Sequence, residues 1–207
     1  MWTDVTVSIN GTDRGLKAYK QQHTESCGPS SLLILINVLE RYETAEAVMR
    51  LWCTQAEKKM VRAGGNPGGM PGAATDSRVF DFTGGARGQI LVDVLKEKKP
   101  QYAAAYRTTN QEVQDNIGLC TLQSPGILRV SWDGVAGAPG GAHFIVCLGA
   151  DGGGNRVFLD PWYGLVSNRL NKFPRYDASG GSFAAGQGNG SFTHLINTKV
   201  GVYGPGF

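Results

Sequence analysis

Hydrophobic and polar residues repeat with two different periods along this chain, and each period predicts a different kind of element. Near the N-terminus, residues 3–9 alternate polar and apolar side chains, and the turn-forming pair Asn10-Gly11 follows them, which predicts a strand. The stretch from Ser30 to about Arg41 is apolar on nearly every side. A helix that is apolar all round is normally buried, so this stretch predicts a central helix of the core.

Two further segments have helical periodicity. Residues 45–62 carry apolar side chains at i, i+3 and i+4 spacing, and residues 86–98 carry an apolar face that ends in lysines followed by Pro100. We expect one or two helices in the first segment and one helix in the second. A short strand is expected at residues 102–106, and a short helix is expected at residues 110–117.

The second half of the chain changes to strand periodicity. Residues 126–132 and residues 143–148 predict two strands, and the glycine-rich residues 151–155 predict a hairpin turn into a third strand at residues 156–159. Helices followed by antiparallel strands predict an α+β fold. In such a fold the N-terminal helical part, with its buried central helix, packs against a C-terminal antiparallel sheet.

The composition indicates one compact domain. A chain of 207 residues with 41% hydrophobic residues can bury a sizeable core, so we expect one domain over residues 21–207, preceded by a strand or arm over residues 1–20. The net charge of +3 comes from 20 basic and 17 acidic residues without a long basic block. Binding to nucleic acid is therefore not indicated.

No segment predicts membrane insertion or ordinary export. No apolar run approaches the roughly 18 residues needed to cross a bilayer, and the first residues lack a charged segment followed by an apolar one. We therefore expect a soluble protein that is cytoplasmic, or that reaches a target cell by a specialised secretion route.

The cysteines have no metal-ligand spacing. No pair has the Cys-x-x-Cys spacing of structural zinc sites, and a chain of this length can fold without disulfides. We expect free thiols and neither a metal nor a cofactor. The cysteines are Cys27, Cys53, Cys120 and Cys147.

Cys27 stands where a polar, turn-forming segment meets the central helix. Pro29 is favoured in a first helical turn because its missing N–H is not needed there, so the helix should begin at or just after Gly28. The free N–H groups at the helix start would then favour the thiolate of Cys27. Gln21 can fold back and offer its side-chain N–H₂ beside the Cys27 N–H as two donors to one oxyanion. Cys27 is thus the candidate nucleophile, and the alternative is a small buried cysteine at a helix start.

A cysteine nucleophile needs a general base, which is most often histidine. His143 is favoured because it opens a strand directly after a Gly/Pro-rich loop, and the hairpin that follows brings Asp160 back beside it. A carboxylate there fixes the tautomer of the imidazole and stabilises its charged form. His23, four residues before Cys27, and His194, in a late strand, are the weaker candidates.

Four motifs occur in one order along the chain: Gln21, Cys27-Gly28-Pro29, Gly141-Ala142-His143-Phe144 and Asp160-Pro161-Trp162. In this order they resemble the papain-like cysteine peptidase superfamily, and within it the bacteriocin-processing double-glycine peptidases and related bacterial effector proteases. The resemblance implies a papain-like fold and a thiol endopeptidase that cleaves a protein or peptide substrate, with small residues such as Gly-Gly at the cut site. It also suggests a bacterial effector or interbacterial toxin that a cognate immunity protein blocks.

The same set of cysteine, histidine and aspartate serves other reactions. Transglutaminases, deamidases, arylamine acyltransferases and peptidoglycan amidases also pass through a thioester, and the acceptor decides the outcome. A papain-like domain that is catalytically inactive and used only for binding is a further alternative. The residues alone do not choose among these outcomes.

Overall fold

The computed structural model describes residues 1–63, 88–107, 118–131, 142–162, 164–169, 177–178, 181–182 and 198–203. These residues contain three helices, a two-stranded hairpin and an eight-stranded sheet, so the α+β class expected from the sequence is confirmed. The predicted helix at residues 110–117 and the predicted strand that carries His194 lie outside the described residues.

The N-terminal strand pairs with a second strand in a β-hairpin. β1 (Trp2–Ile9) and β2 (Thr12–Tyr19) are antiparallel, so the strand predicted at the N-terminus is confirmed and gains a partner that was not predicted. The two residues between them, Asn10 and Gly11, have φ angles of 50° and 75°. A two-residue type I′ turn requires these left-handed angles.

The hairpin packs on the rest of the chain. Val7, Leu16 and Ala18 are buried in the same hydrophobic core as the helices. The turn is also attached to the main sheet, because the Asn10 N–H donates a hydrogen bond to the carbonyl of Ala150 at 2.9 Å. Side chains from residues 1–20 therefore contribute to the core that supports the central helix.

Three helices correspond to the three long segments predicted to be helical: α1 (Cys27–Glu40), α2 (Glu46–Arg62) and α3 (Gly88–Lys98). α1 begins at Cys27 rather than at Ser30, and all its residues as far as Val38 are buried. Its position at the centre of the fold explains why its sequence is apolar on every side.

The main sheet is antiparallel at every described pair of neighbouring strands. In spatial order its strands are β3 (Ala103–Arg107), β10 (Thr198–Tyr203), β4 (Gly126–Ser131), β5 (Ala142–Ala150), β6 (Asn155–Asp160), β7 (Gly164–Arg169), β8 (Asp177–Ala178) and β9 (Gly181–Ser182). The predicted strands β3, β4, β5 and β6 are confirmed, whereas the insertion of β10 between β3 and β4 was not predicted. α1 packs against β5, near the middle of the sheet.

The turn between β5 and β6 is held by one carboxylate. Asp151 Oδ1 accepts hydrogen bonds from the backbone N–H groups of Gly153 and Asn155, both at 2.8 Å. The hairpin turn predicted at residues 151–155 is thereby confirmed. β6 runs back along β5 with one register shift between Cys147 and Gly149, and its last residue, Asp160, lies beside His143 near the start of β5.

No helix in the described part of the chain is long and apolar enough to span a membrane.

Gly11→Ala and Gly15→Ala form a matched pair that tests the turn of the N-terminal hairpin. A Cβ at either position would meet no heavy atom within 4 Å, but Gly11 alone of the two has a left-handed φ, of 75°. We expect Gly11→Ala to lower the free energy of unfolding by about 1 kcal/mol, because a Cβ disfavours this conformation. Gly15→Ala should leave the free energy of unfolding unchanged or raise it slightly. Urea unfolding measures both, and equal effects would contradict the type I′ turn.

Candidate active site

The first turn of α1 presents Cys27 at the boundary between the preceding loop and the core. Cys27 is the first residue of the helix, and 7% of its surface is exposed. The loop turns tightly into the helix, because the Ser26 N–H bonds to the His23 carbonyl at 3.1 Å and the Ser26 carbonyl accepts from the Ser30 N–H at 2.8 Å. The position of Cys27 at a helix start is therefore fixed by backbone hydrogen bonds on both sides of it.

His143 and Asp160 form a hydrogen-bonded pair in the protein interior. His143 is the second residue of β5 and Asp160 is the last residue of β6, and their side chains are 2% and 0% exposed. His143 Nε2 lies 2.8 Å from Asp160 Oδ1. The same oxygen accepts the Trp162 backbone N–H at 2.7 Å. Two donors thus bond to one buried carboxylate, and these hydrogen bonds offset the cost of removing its charge from water.

The protonation of His143 depends on both of its neighbours. Burial lowers its pKa, but the charge of Asp160 and the hydrogen bond to it, together with a hydrogen bond and charge interaction with Cys27, raise the pKa from 6.5 to about 9. His143 is therefore mostly protonated at neutral pH. Because Asp160 occupies Nε2, Nδ1 is the ring nitrogen left for the sulfur of Cys27.

Gln21 joins the loop before Cys27 to the turn after Asp160. Its backbone N–H donates to the Pro161 carbonyl at 2.7 Å. Its side-chain Nε2 donates to the carbonyls of His23 and Thr24, at 2.7 and 2.9 Å. Both amide hydrogens are thus used within the loop, and Oε1 is buried without a hydrogen-bond partner among the described residues. The donation to an oxyanion that the sequence suggests stays a prediction.

The weaker candidate bases have other positions. The side chain of His23 is exposed, and its carbonyl accepts hydrogen bonds from Gln21 and Ser26. His194 lies outside the described residues.

Glu46 supports the loop before Cys27, and this role was not predicted from the sequence. It is the first residue of α2 and is 1% exposed, and its Oε2 accepts the Gln22 backbone N–H at 2.7 Å. Tyr19 also bonds to it: burial and then the charge and hydrogen bond of Glu46 raise the pKa of Tyr19 to about 12. An acidic residue in a first helical turn is common for electrostatic reasons, so nothing in the sequence marked Glu46 as a support for the loop.

A cavity of about 240 Å³ borders this site. Gln21 and Trp162 line it, so it adjoins both the loop before Cys27 and the turn after Asp160. A larger cavity of about 410 Å³ lies between the N-terminal hairpin and the end of α1, and none of Gln21, Cys27, His143 and Asp160 lines it. Of these two cavities, the smaller is the one that borders the candidate site. Its remaining lining residues are Lys20, Gln22, His23 and Thr24.

The other cysteines lie apart from this chemistry. None of the four cysteines forms a disulfide, and Cys53, Cys120 and Cys147 are buried in the core. In the described ranges there is no cluster of three or more histidine, cysteine, aspartate or glutamate side chains that could hold a metal ion.

This chain is similar in fold to solved structures but has no match among families or curated sequences. No family model matches this chain, and no curated protein sequence matches it. The fold is similar to the crystal structure of the peptidase domain of Streptococcus ComA, a bi-functional ABC transporter involved in a quorum sensing pathway. The similarity covers 90% of this chain and 97% of that chain, at 13% sequence identity and a TM-score of 0.48. Identity this low does not carry an activity from one protein to the other, so function follows from the site itself.

Proposed function

We propose that this chain is a papain-like thiol endopeptidase with Cys27 as its nucleophile. The observation that carries the proposal is the meeting of three side chains from distant parts of the sequence. Asp160 bonds to His143 at 2.8 Å, and His143 in turn interacts with Cys27. A carboxylate, an imidazole and a sulfur in this order supply the orienter, the base and the nucleophile of covalent catalysis.

Acylation begins from Cys27 as a thiolate beside the protonated His143. The sulfur attacks the carbonyl carbon of the scissile peptide bond, a C–S bond forms, and the carbonyl oxygen becomes an oxyanion. His143 then donates its proton to the leaving nitrogen as the C–N bond breaks. The amine product leaves, and the rest of the substrate stays bound to Cys27 as a thioester.

Deacylation uses His143 in its neutral form. The imidazole removes a proton from water, and the hydroxide adds to the thioester carbonyl. The C–S bond then breaks, the acid product leaves, and Cys27 and His143 return to the thiolate and the imidazolium. Throughout both steps Asp160 keeps Nε2 occupied and so keeps Nδ1 turned toward the sulfur.

For Gln21 we propose the oxyanion donor role. The proposal is supported by the position of Gln21 in the loop that leads into Cys27, where its side chain bonds to the carbonyls of His23 and Thr24. The amide hydrogens of Gln21 bond to the His23 and Thr24 carbonyls. Donation to an oxyanion therefore requires that one of these bonds breaks when substrate binds and that a bond to the oxyanion replaces it. A donor aimed at the developing charge contributes more to the transition state than to the ground state.

The proposal extends to substrate and setting. Small residues such as Gly-Gly at the scissile bond are the expected substrate feature, and a bacterial effector or interbacterial toxin with a cognate immunity protein is the expected setting. Both extensions are supported by the resemblance of the four motifs to double-glycine peptidases and related effector proteases.

Cys27→Ala tests the proposal without knowledge of the natural substrate. Bacterial lysate is incubated with wild type or variant, and new protein termini are counted by mass spectrometry. We expect new termini with wild type and none with Cys27→Ala, because the thioester cannot form. Cys53→Ala is the matched control: it removes a buried thiol from α2 and should keep the cleavage.

Other outcomes of this experiment would replace the proposal. Mass changes at glutamine side chains without new termini would indicate a deamidase, and new links to amines would indicate a transglutaminase. Identical results for wild type and Cys27→Ala, together with no labelling of Cys27 by a thiol-reactive probe, would indicate a binding domain.

Gln21→Ala tests the oxyanion role. Once a cleaved peptide is known, we expect this variant to lower kcat by roughly 10²- to 10³-fold, as for the loss of one oxyanion donor. Gln101→Ala is the control, since its side chain is exposed and bonds to Glu40 at the end of α1 opposite Cys27. We expect Gln101→Ala to keep the wild-type kcat. If the two variants have the same kcat, Gln21 is not an oxyanion donor.

A further inference from the structure

One buried hydrogen bond joins the helix of the nucleophile to the strand of the base. Ser31 Oγ on α1 donates to the backbone carbonyl of Phe144 on β5 at 2.9 Å, across 113 residues of sequence. Ser31 is 0% exposed and Phe144 is 2% exposed. A hydrogen bond between groups that water does not reach holds its geometry more firmly than one at the surface.

The two ends of this bond lie next to the reacting groups. Ser31 is four residues after Cys27 on α1, and residues four apart share one face of a helix. Phe144 directly follows His143 on β5. The bond therefore ties the helix face that carries the sulfur to the backbone beside the imidazole.

Phe144 lies at the start of β5, where its pairing with β6 has not yet begun. The ladder between β5 and β6 begins at the Val146–Leu159 pair, whereas the ladder with β4 already includes Phe144 opposite Arg129. This start of β5 is held on one side only by strand pairing. The bond from Ser31 supplies a second attachment there.

From these contacts we propose that Ser31 is a positioning residue that sets the alignment of Cys27 with His143. The inference rests on the proposed peptidase function and adds a residue to it. Ser31 touches no reacting atom and acts through the placement of α1 against β5. Proton exchange between sulfur and imidazole requires hydrogen-bond distance, and a displacement of about 1 Å can cost on the order of 10²-fold in rate.

The neighbouring residue provides a matched control. Ser30 is on the same helix and is also 0% exposed, but its Oγ has no hydrogen-bond partner among the described residues. Ser30→Ala and Ser31→Ala thus remove the same atom from the same buried helix, and the second alone breaks a bond to β5. Removal of a buried hydroxyl without a partner costs little.

The experiment measures alkylation of Cys27 by iodoacetamide at about pH 6, with peptide mass spectrometry to locate the label. An ordinary cysteine thiol, with a pKa of about 8.5, is almost fully protonated there and reacts slowly. A thiolate held beside an imidazolium reacts quickly. We expect Ser31→Ala to lower the rate at least about tenfold, and Ser30→Ala to stay within about twofold of wild type.

The outcomes separate this inference from the proposed function. If wild type at this pH reacts no faster than free cysteine, the proposed function fails, and the inference fails with it. If wild type reacts quickly and Ser31→Ala reacts equally quickly, the positioning inference alone is overturned. An equal loss in Ser30→Ala and Ser31→Ala also overturns it.

Ser31→Thr keeps the hydroxyl and supplies the rescue. We expect it to restore the wild-type alkylation rate, which a purely structural requirement for a small side chain would not do. Thermal unfolding of each variant shows whether it is folded. If Ser31→Ala does not fold, the result for Ser31→Thr decides between the outcomes. A wild-type rate of Cys27 alkylation in Ser31→Thr supports the inference. A tenfold lower rate in a folded Ser31→Thr variant overturns it.

Discussion

The buried bond between His143 and Asp160 is the constraint on which this site depends. Removing a carboxylate and an imidazolium from water costs several kcal/mol for each ion unless hydrogen bonds and mutual attraction offset it. Here the carboxylate has two donors on one oxygen, from His143 and from the Trp162 backbone. The hairpin of β5 and β6 makes this possible, because its tight turn places the end of one strand beside the start of the other. Both residues of the pair belong to strands of the sheet, His143 to β5 and Asp160 to β6.

The proposed nucleophile, Cys27, lies in a different layer, on α1. α1 is buried from its first residue, so its axis is fixed by packing on the sheet and on the other helices. Cys27 lies at the N-terminal end of this helix, directly after a polar loop, and Glu46 holds that loop through the backbone of Gln22. The proposed catalytic arrangement therefore requires two separate parts of the fold, the sheet and α1, to meet at one place. The Ser31 bond to Phe144 is a direct polar attachment between them.

Much of this arrangement can be read from the sequence, because local patterns determine it. The apolar run of α1 and the turn at residues 151–155 are local signals, and the turn alone brings Asp160 back to His143. The placement of β10 between β3 and β4 was not predictable in this way, since it pairs segments far apart in the chain. β2 was missed because its first residues are polar and exposed, and its alternation starts only at Leu16. The roles of Ser31 and Glu46 were not predicted, since each residue type is common at its position in a helix.

The central claim is that the buried carboxylate and the adjacent sulfur keep His143 protonated at neutral pH. Solution NMR of the labelled imidazole, assigned by comparison with His143→Gln, measures this directly. The account predicts that the ring is charged at neutral pH and loses its proton with a pKa of about 9. A midpoint at or below the ordinary histidine value of 6.5 would contradict it.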